Sequence, residues 1–140
     1  KGHHFQLPMN SEKLYVMRRP GIVRSLVNHD QIKELAKSNN FLPLLLEEMS
    51  VLDQIKYFYY AKKIVGLHGG GLIHTFLSKS DQLIEFASHH LNTSLLDTCH
   101  VCGIKYGYLL NPNMINGAKW EPVQSQMYFP PSLADYAFNK

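Results

Sequence analysis

Apolar positions recur along this chain in two rhythms, and the switches between them mark its elements. Lys13 to Met17 (KLYVM) is a compact apolar run that predicts a strand, closed by Pro20-Gly21. Asn28 then reads as a helix N-cap, with Gln31 completing a capping box. Ile32, Leu35 and Ala36 repeat at helical spacing to about Lys37, and Asn39-Asn40 closes the helix. Phe41 to Leu46 predicts a second strand. Ser50 caps a second helix with Asp53 at the capping-box position, and Leu52, Ile55, Phe58 and Tyr59 form its expected apolar stripe. Lys63 to Leu67 (KIVGL) predicts a third strand, running into His68-Gly69-Gly70-Gly71-Leu72 and a short helix to about Leu77. Gln82 to Ala87 (QLIEFA) predicts a fourth strand. A helix from Asn92 or Ser94 places Leu95, Leu96, Cys99 and Cys102 on one side, with Gly103 as its C-cap. Ile104 to Leu110 alternates as a strand does, and a last short helix is expected from Ser132 to Phe138.

The order β-α-β-α-β-α-β-α-β predicts an α/β fold, a Rossmann-like, mostly parallel sheet with helices on both faces. Such sheets bind ligands at the carboxyl ends of their strands. Arg18, His68 and the residues after Glu85 all fall at such ends. The length of 140 residues fits a single domain over residues 1–140. The hydrophobic fraction of 45% and charged fraction of 18% are those of a globular chain. A start at Lys rather than Met raises the expectation of a piece of a longer protein.

Charge narrows the ligand. The net charge is +3 with His neutral, too weak and dispersed for a nucleic-acid footprint. The three arginines, Arg18, Arg19 and Arg24, nevertheless crowd into seven positions. Guanidinium groups make forked contacts with phosphate, so the signal points to a local anion site. Neighbouring strand residues face opposite ways, yet Pro20 supplies a bend through which Arg18 and Arg19 act together.

The glycine turn is the complementary feature. A strand enters Gly69-Gly70-Gly71 and a helix leaves it. Glycines let the backbone approach a ligand and leave amide N–H groups free, and the helix dipole adds attraction for an anion such as a pyrophosphate. A bare triple glycine is only a tight turn; His68 before it adds a side chain that can donate to phosphate. Glu85 interrupts an apolar strand, where a carboxylate needs a partner. Two roles stay open for it, an ion pair with a Lys or Arg of the sheet and acceptance from ribose hydroxyls. Cys99-x-x-Cys102 lies at a helix end, where both read as small core residues. His3-His4 and His89-His90 lack metal-ligand spacing, and no metal is expected. Asn92-Thr93-Ser94 is a glycosylation acceptor pattern, relevant only in a secretory compartment.

Together these stretches resemble the catalytic region of glycosyltransferase family 61. The likeness rests on Leu14 to Arg19 followed by Arg24 and Asn28, on Met49 to Ile55, and on Ile64 to Leu72 with Phe76-Leu77 and Leu83 to Phe86. Gly70 stands where the family usually has Ala, and His74 where many members have Asn. The resemblance implies a GT-B architecture of two Rossmann-like halves, of which this chain is the donor-holding one. It implies inverting transfer from a nucleotide sugar, usually a UDP sugar, to a polysaccharide or glycoprotein acceptor. No cofactor or metal is required, and an amino-terminal half is the expected partner. Carried onto this chain, it makes His68 the catalytic candidate and Arg18, Arg19, Arg24, Gly69, Gly70, Gly71, Leu72 and Glu85 the donor-binding ones. The compartment stays open, being the secretory lumen for a eukaryotic member and the cytoplasm for a bacterial one. The competing reading is a non-catalytic nucleotide-binding module. A dehydrogenase is excluded because Arg-Arg-Pro-Gly follows the first strand where G-x-G-x-x-G is required.

Overall fold

Five short apolar runs become five parallel strands. The structure is a computed structural model and describes residues 11–22, 25–87, 93–110 and 127–140. Its strands are β1 (Lys13–Met17), β2 (Leu42–Leu45), β3 (Lys63–Leu67), β4 (Gln82–Ala87) and β5 (Lys105–Leu110). They form one sheet in the order β2-β1-β3-β4-β5, every pairing parallel. The helices are α1 (His29–Ser38), α2 (Val51–Tyr60), α3 (Ser94–Cys102) and α4 (Pro131–Asn139). The α/β, Rossmann-like expectation therefore holds.

Strand alternation sorts the core into two layers. Tyr15, Met17, Val65, Leu67, Ile84 and Phe86 face α1 and α4. Leu14, Val16, Ile64 and Leu83 face the other way, towards Phe58 of α2 and Leu95 and Cys99 of α3. Pro43 sits within β2 because β2 is an edge strand, where a missing N–H leaves no ladder bond unmade.

Several local expectations need correction. Asn28 does occupy the N-cap position of α1 and its amide donates to Gln31 Oε1 at 3.2 Å, but it makes no cap bond to the helix backbone. Its amide also donates to the Phe129 carbonyl at 2.8 Å and accepts from the Phe129 N–H at 3.1 Å, tying the α1 entry to the segment before α4. β2 is shorter than Phe41 to Leu46, because Leu46–Glu48 turns into a 3-10 helix. Ser50 does cap α2, accepting from the Asp53 N–H at 3.1 Å. Of the expected α2 stripe only Phe58 is buried; Leu52 and Tyr59 are exposed. In α3 Leu95 and Cys99 are buried, whereas Leu96 and Cys102 are exposed, so only one cysteine belongs to the core. Burial of Cys99 pushes its thiol up to about 11. Gly103 terminates α3 in the left-handed conformation, φ 71°, as expected. The helix after the glycine turn, Gly70–Leu77, is 3-10 over its whole length. Arg24, Asn92, His3-His4 and His89-His90 lie outside the described residues. Among the described residues no helix is long and apolar enough to cross a membrane.

Candidate functional site: a crevice between the first and third strands

The sheet order itself places a crevice. From β1 the chain crosses to β2 at one side, and from β3 it continues to β4 at the other. The loops leaving β1 and β3 therefore part at the carboxyl ends of two adjacent strands, which is the switch point where doubly wound sheets take ligands. A cleft of about 330 Å³ opens there, at the small end for a ligand site. Arg18, Glu47, Gln54, Gly70, Gly71 and His74 line it.

Arg18 continues the alternation of Leu14 and Val16, so it stays on the α2 side of the sheet and half-buried. Its guanidinium lies against Gly69. A Cβ built on Gly69 would fall 1.9 Å from Arg18 Nη2. Gly69 also has φ 150° and ψ 177°, a conformation essentially reserved for glycine. The residue is thus required twice, for its backbone and for the arginine beside it.

The remaining glycines differ. A Cβ on Gly70 would meet nothing within 4 Å, and one on Gly71 would come 3.1 Å from Leu46 Cδ1. Leu72 is fully buried and its N–H donates to the Gly69 carbonyl at 3.1 Å, so it braces the turn from inside. It seats over Gly66, where a Cβ would lie 2.6 Å from Leu72 Cδ2. A glycine inside a strand is the sequence signal for such a close approach, and Gly66 was legible only in that general sense. Arg19, by contrast, is exposed and does not line the cleft.

The cleft's far wall is a polar relay that periodicity does not reveal. The Gln54 amide nitrogen donates to the carbonyls of Leu46 at 2.9 Å and Met49 at 3.3 Å. Carbonyls only accept, so Gln54 turns its oxygen to His74, whose Nε2 lies 3.1 Å away. His74 must therefore donate from Nε2, and its ring is also packed edge-on against Phe58 at 5.6 Å.

On the other flank of the turn, Glu85 is fully buried. Its partner is neither Lys nor Arg. One carboxylate oxygen bonds His68 Nδ1 and the other accepts from the Tyr106 hydroxyl at 2.5 Å. Burial, and then the hydrogen bond to Glu85, push the Tyr106 phenol well above its usual range. Tyr108 moves the same way, by burial and the nearby Glu85 charge.

The family model described as Glycosyltransferase 61 matches residues 2–84, more than half the chain. This chain belongs to glycosyltransferase family 61. No curated protein matches it. The matched segment of this family 61 domain holds β1, the glycine turn and α2, hence the whole crevice, and stops one residue before Glu85. The family is one of glycosyltransferases, so membership points to glycosyltransferase activity. Among its described residues no three His, Cys, Asp or Glu side chains gather to hold a metal ion.

Proposed function

We propose that the crevice holds the diphosphate of a nucleotide-sugar donor, with UDP the first candidate, for inverting transfer to a glycan or protein hydroxyl. The observation that carries this reading is the Arg18 guanidinium laid on Gly69 at the switch point. A diphosphate entering the turn meets a forked cation and the amides of a glycine-rich segment at once. His68, the residue before that segment, does not line the cleft, and its part in this reading is an approach to the diphosphate from the β4 side.

In such a transfer the acceptor oxygen bonds the anomeric carbon as the bond from that carbon to the diphosphate oxygen breaks. Negative charge builds on the departing β-phosphate. In this reading Arg18 and the turn amides stabilise that charge, with help from His68 beside the cleft, the role a divalent cation otherwise fills. The acceptor hydroxyl and its base come from a second, amino-terminal half across the crevice. Positioning of acceptor against donor supplies much of the rate, so residues 1–140 alone bind donor without robust transfer.

Calorimetric titration with UDP, GDP and CMP sugars, with and without a divalent cation, tests the reading. Metal-independent UDP binding is expected. Binding of none of the three, or only with metal, contradicts it.

A further inference from the structure

Two residues that line the crevice take no part in the diphosphate reading, Gln54 and His74. Both amide hydrogens of Gln54 are taken by backbone, going to the Leu46 and Met49 carbonyls. Its oxygen accepts from His74 Nε2. Gln54 therefore ties the turn before α2 to the segment that follows the glycine turn. The same arrangement decides the tautomer of His74. A neutral ring that donates from Nε2 carries an acceptor lone pair on Nδ1. Phe58, fully buried, meets the ring edge-on at 5.6 Å, so its plane is held as well. Among the described residues nothing bonds Nδ1, and the atom is not enclosed in the core. Glu47, next to the Leu46 carbonyl that Gln54 holds, brings further acceptor oxygens to the cleft. The cleft thus has two chemical characters. Arg18 is a cation that only donates, which suits phosphate. His74 and Glu47 offer acceptors, which pair with hydroxyls and not with phosphate oxygens. A nucleotide sugar has hydroxyls on both sides of its diphosphate, on the ribose and on the sugar.

We propose that His74 Nδ1 accepts a hydrogen bond from a hydroxyl of the nucleotide-sugar donor, and that Gln54 is the positioning residue that sets the ring to do so. This rests on the diphosphate reading of the crevice and adds to it the part of the donor that the phosphate contacts leave unread. His74 is then a specificity-determining residue. A ligand without that hydroxyl strips water from Nδ1 and leaves it unpaired, and such a site rejects the analogue more strongly than an apolar one would. Gln54 needs no contact with the ligand and acts through His74. No covalent bond is made or broken in this recognition and no proton changes hands.

Affinities are compared by calorimetry at about pH 8, where an ordinary imidazole is mostly uncharged. The ligands are UDP, its dideoxy analogue lacking both ribose hydroxyls, UDP-xylose and UDP-N-acetylglucosamine. If the ribose is read, the dideoxy analogue should bind roughly three- to tenfold more weakly than UDP. If the transferred sugar is read, a UDP sugar should bind tighter than UDP by a similar factor. In either case His74→Phe, which keeps a ring against Phe58, should erase the difference. His74→Asn, whose oxygen takes the place of Nδ1, should retain part of it. His74→Gln, whose polar end takes the place of Nε2, should retain none. Gln54→Leu should weaken the discrimination in the wild type and change nothing further in His74→Phe, a coupling that a merely structural role would not give. Nitrogen NMR of the unliganded wild type should show the His74 proton on Nε2, a readout that needs no variant to fold. Failure of the wild type to bind any of these ligands overturns this inference together with the reading beneath it. Binding without discrimination, discrimination unchanged in His74→Phe, or a proton on Nδ1 in place of Nε2 overturns this inference alone. Equal loss of every ligand in His74→Phe would make the ring a phosphate contact and overturn it likewise.

Discussion

The two faces of the sheet are built from the same strands and do different work. Towards α1 and α4 the strands present Tyr15, Met17, Val65, Leu67, Ile84 and Phe86, and rings from outside the sheet close over them. Phe86 stacks on Phe129 at 4.2 Å, and Phe138 meets Tyr15 edge-on at 5.4 Å and Phe41 at 4.9 Å. Towards α2 and α3 the same strands present a glycine, Gly66, and a carboxylate, Glu85, among the apolar residues. Of the α2 side chains only Phe58 is buried. One face is a closed aromatic layer. The other gives up packing to seat Leu72 under the glycine turn, to hold His68, and to leave a crevice beside Arg18. Stability is concentrated on the first face and, in the proposed reading, donor binding on the second, so mutations on the two faces should separate the two properties.

The largest effect should come from the aromatic face. Phe86→Ala removes a fully buried ring in contact with three others. It should lower unfolding free energy by about 3–5 kcal/mol, measured by chemical denaturation. UDP affinity below the unfolding transition should stay near that of the wild type. A loss of affinity in the folded variant would mean the two faces are coupled.

Next comes Gly69→Ala on the other face. The added Cβ occupies the place of the Arg18 guanidinium and demands a backbone conformation foreign to alanine. Strain of that kind costs on the order of 1–3 kcal/mol, and Arg18 must move besides. UDP affinity should collapse with only a modest fall in melting temperature. Unchanged affinity in titration would make the glycine a structural turn residue alone.

Arg18→Ala follows. Arg18 is half-buried at a strand end and adds little to the core, so folding should be unaffected. Loss of a charge-assisted phosphate contact should weaken UDP by about 1.5–3 kcal/mol, on the order of 10- to 100-fold. Arg19→Ala, at an exposed position outside the cleft, is the matched comparison and should change affinity far less. Equal losses at both positions would show that the bend at Pro20 brings both arginines to the ligand.

The same division explains what the sequence made legible. Strands and their order of alternation with helices were readable because each run is short, apolar and bounded by Gly, Pro, Asn or Ser, and β1, β3 and β4 fall where the apolar runs do. Arg18 and the glycine turn were readable as neighbours because a parallel sheet brings strand ends together. The partners were not. Tyr106 reaches Glu85 only because β5 pairs with β4, with Tyr108 opposite Glu85 and Tyr106 one alternation earlier on the same face. Gln54 looked like one more polar residue of α2, yet it links the Leu46 carbonyl to His74. Asn28 sits where a cap does, yet its side chain holds Phe129, 101 residues away. Periodicity reports which face a residue occupies; it is silent on contacts made between elements far apart in the chain.

The smallest effect should come from Tyr15→Phe, and it tests the aromatic face at its one polar atom. Tyr15 is fully buried, and its hydroxyl has no hydrogen-bond partner among the described residues. An unpaired buried hydroxyl contributes nothing to stability and carries a desolvation penalty, so its removal should be neutral or stabilising by about 0–1 kcal/mol. The pH dependence carries a sign. Burial pushes the Tyr15 phenol above its usual range. The unfolded chain then releases this proton near an ordinary tyrosine's pKa of about 10 while the folded chain keeps it. Stability from this group is therefore complete below about pH 10 and lost as pH rises further, as protons leave the unfolded state first. Tyr15→Phe removes that contribution, so its alkaline decline should be shallower than that of the wild type. Tyr106, raised by burial and then by its hydrogen bond to Glu85, should account for part of the decline that remains. Denaturation midpoints at neutral pH and above pH 10 decide the matter. If Tyr15→Phe loses more than about 1 kcal/mol at neutral pH, the hydroxyl is bonded by a residue outside those described. The aromatic face would then be less dry than its rings make it.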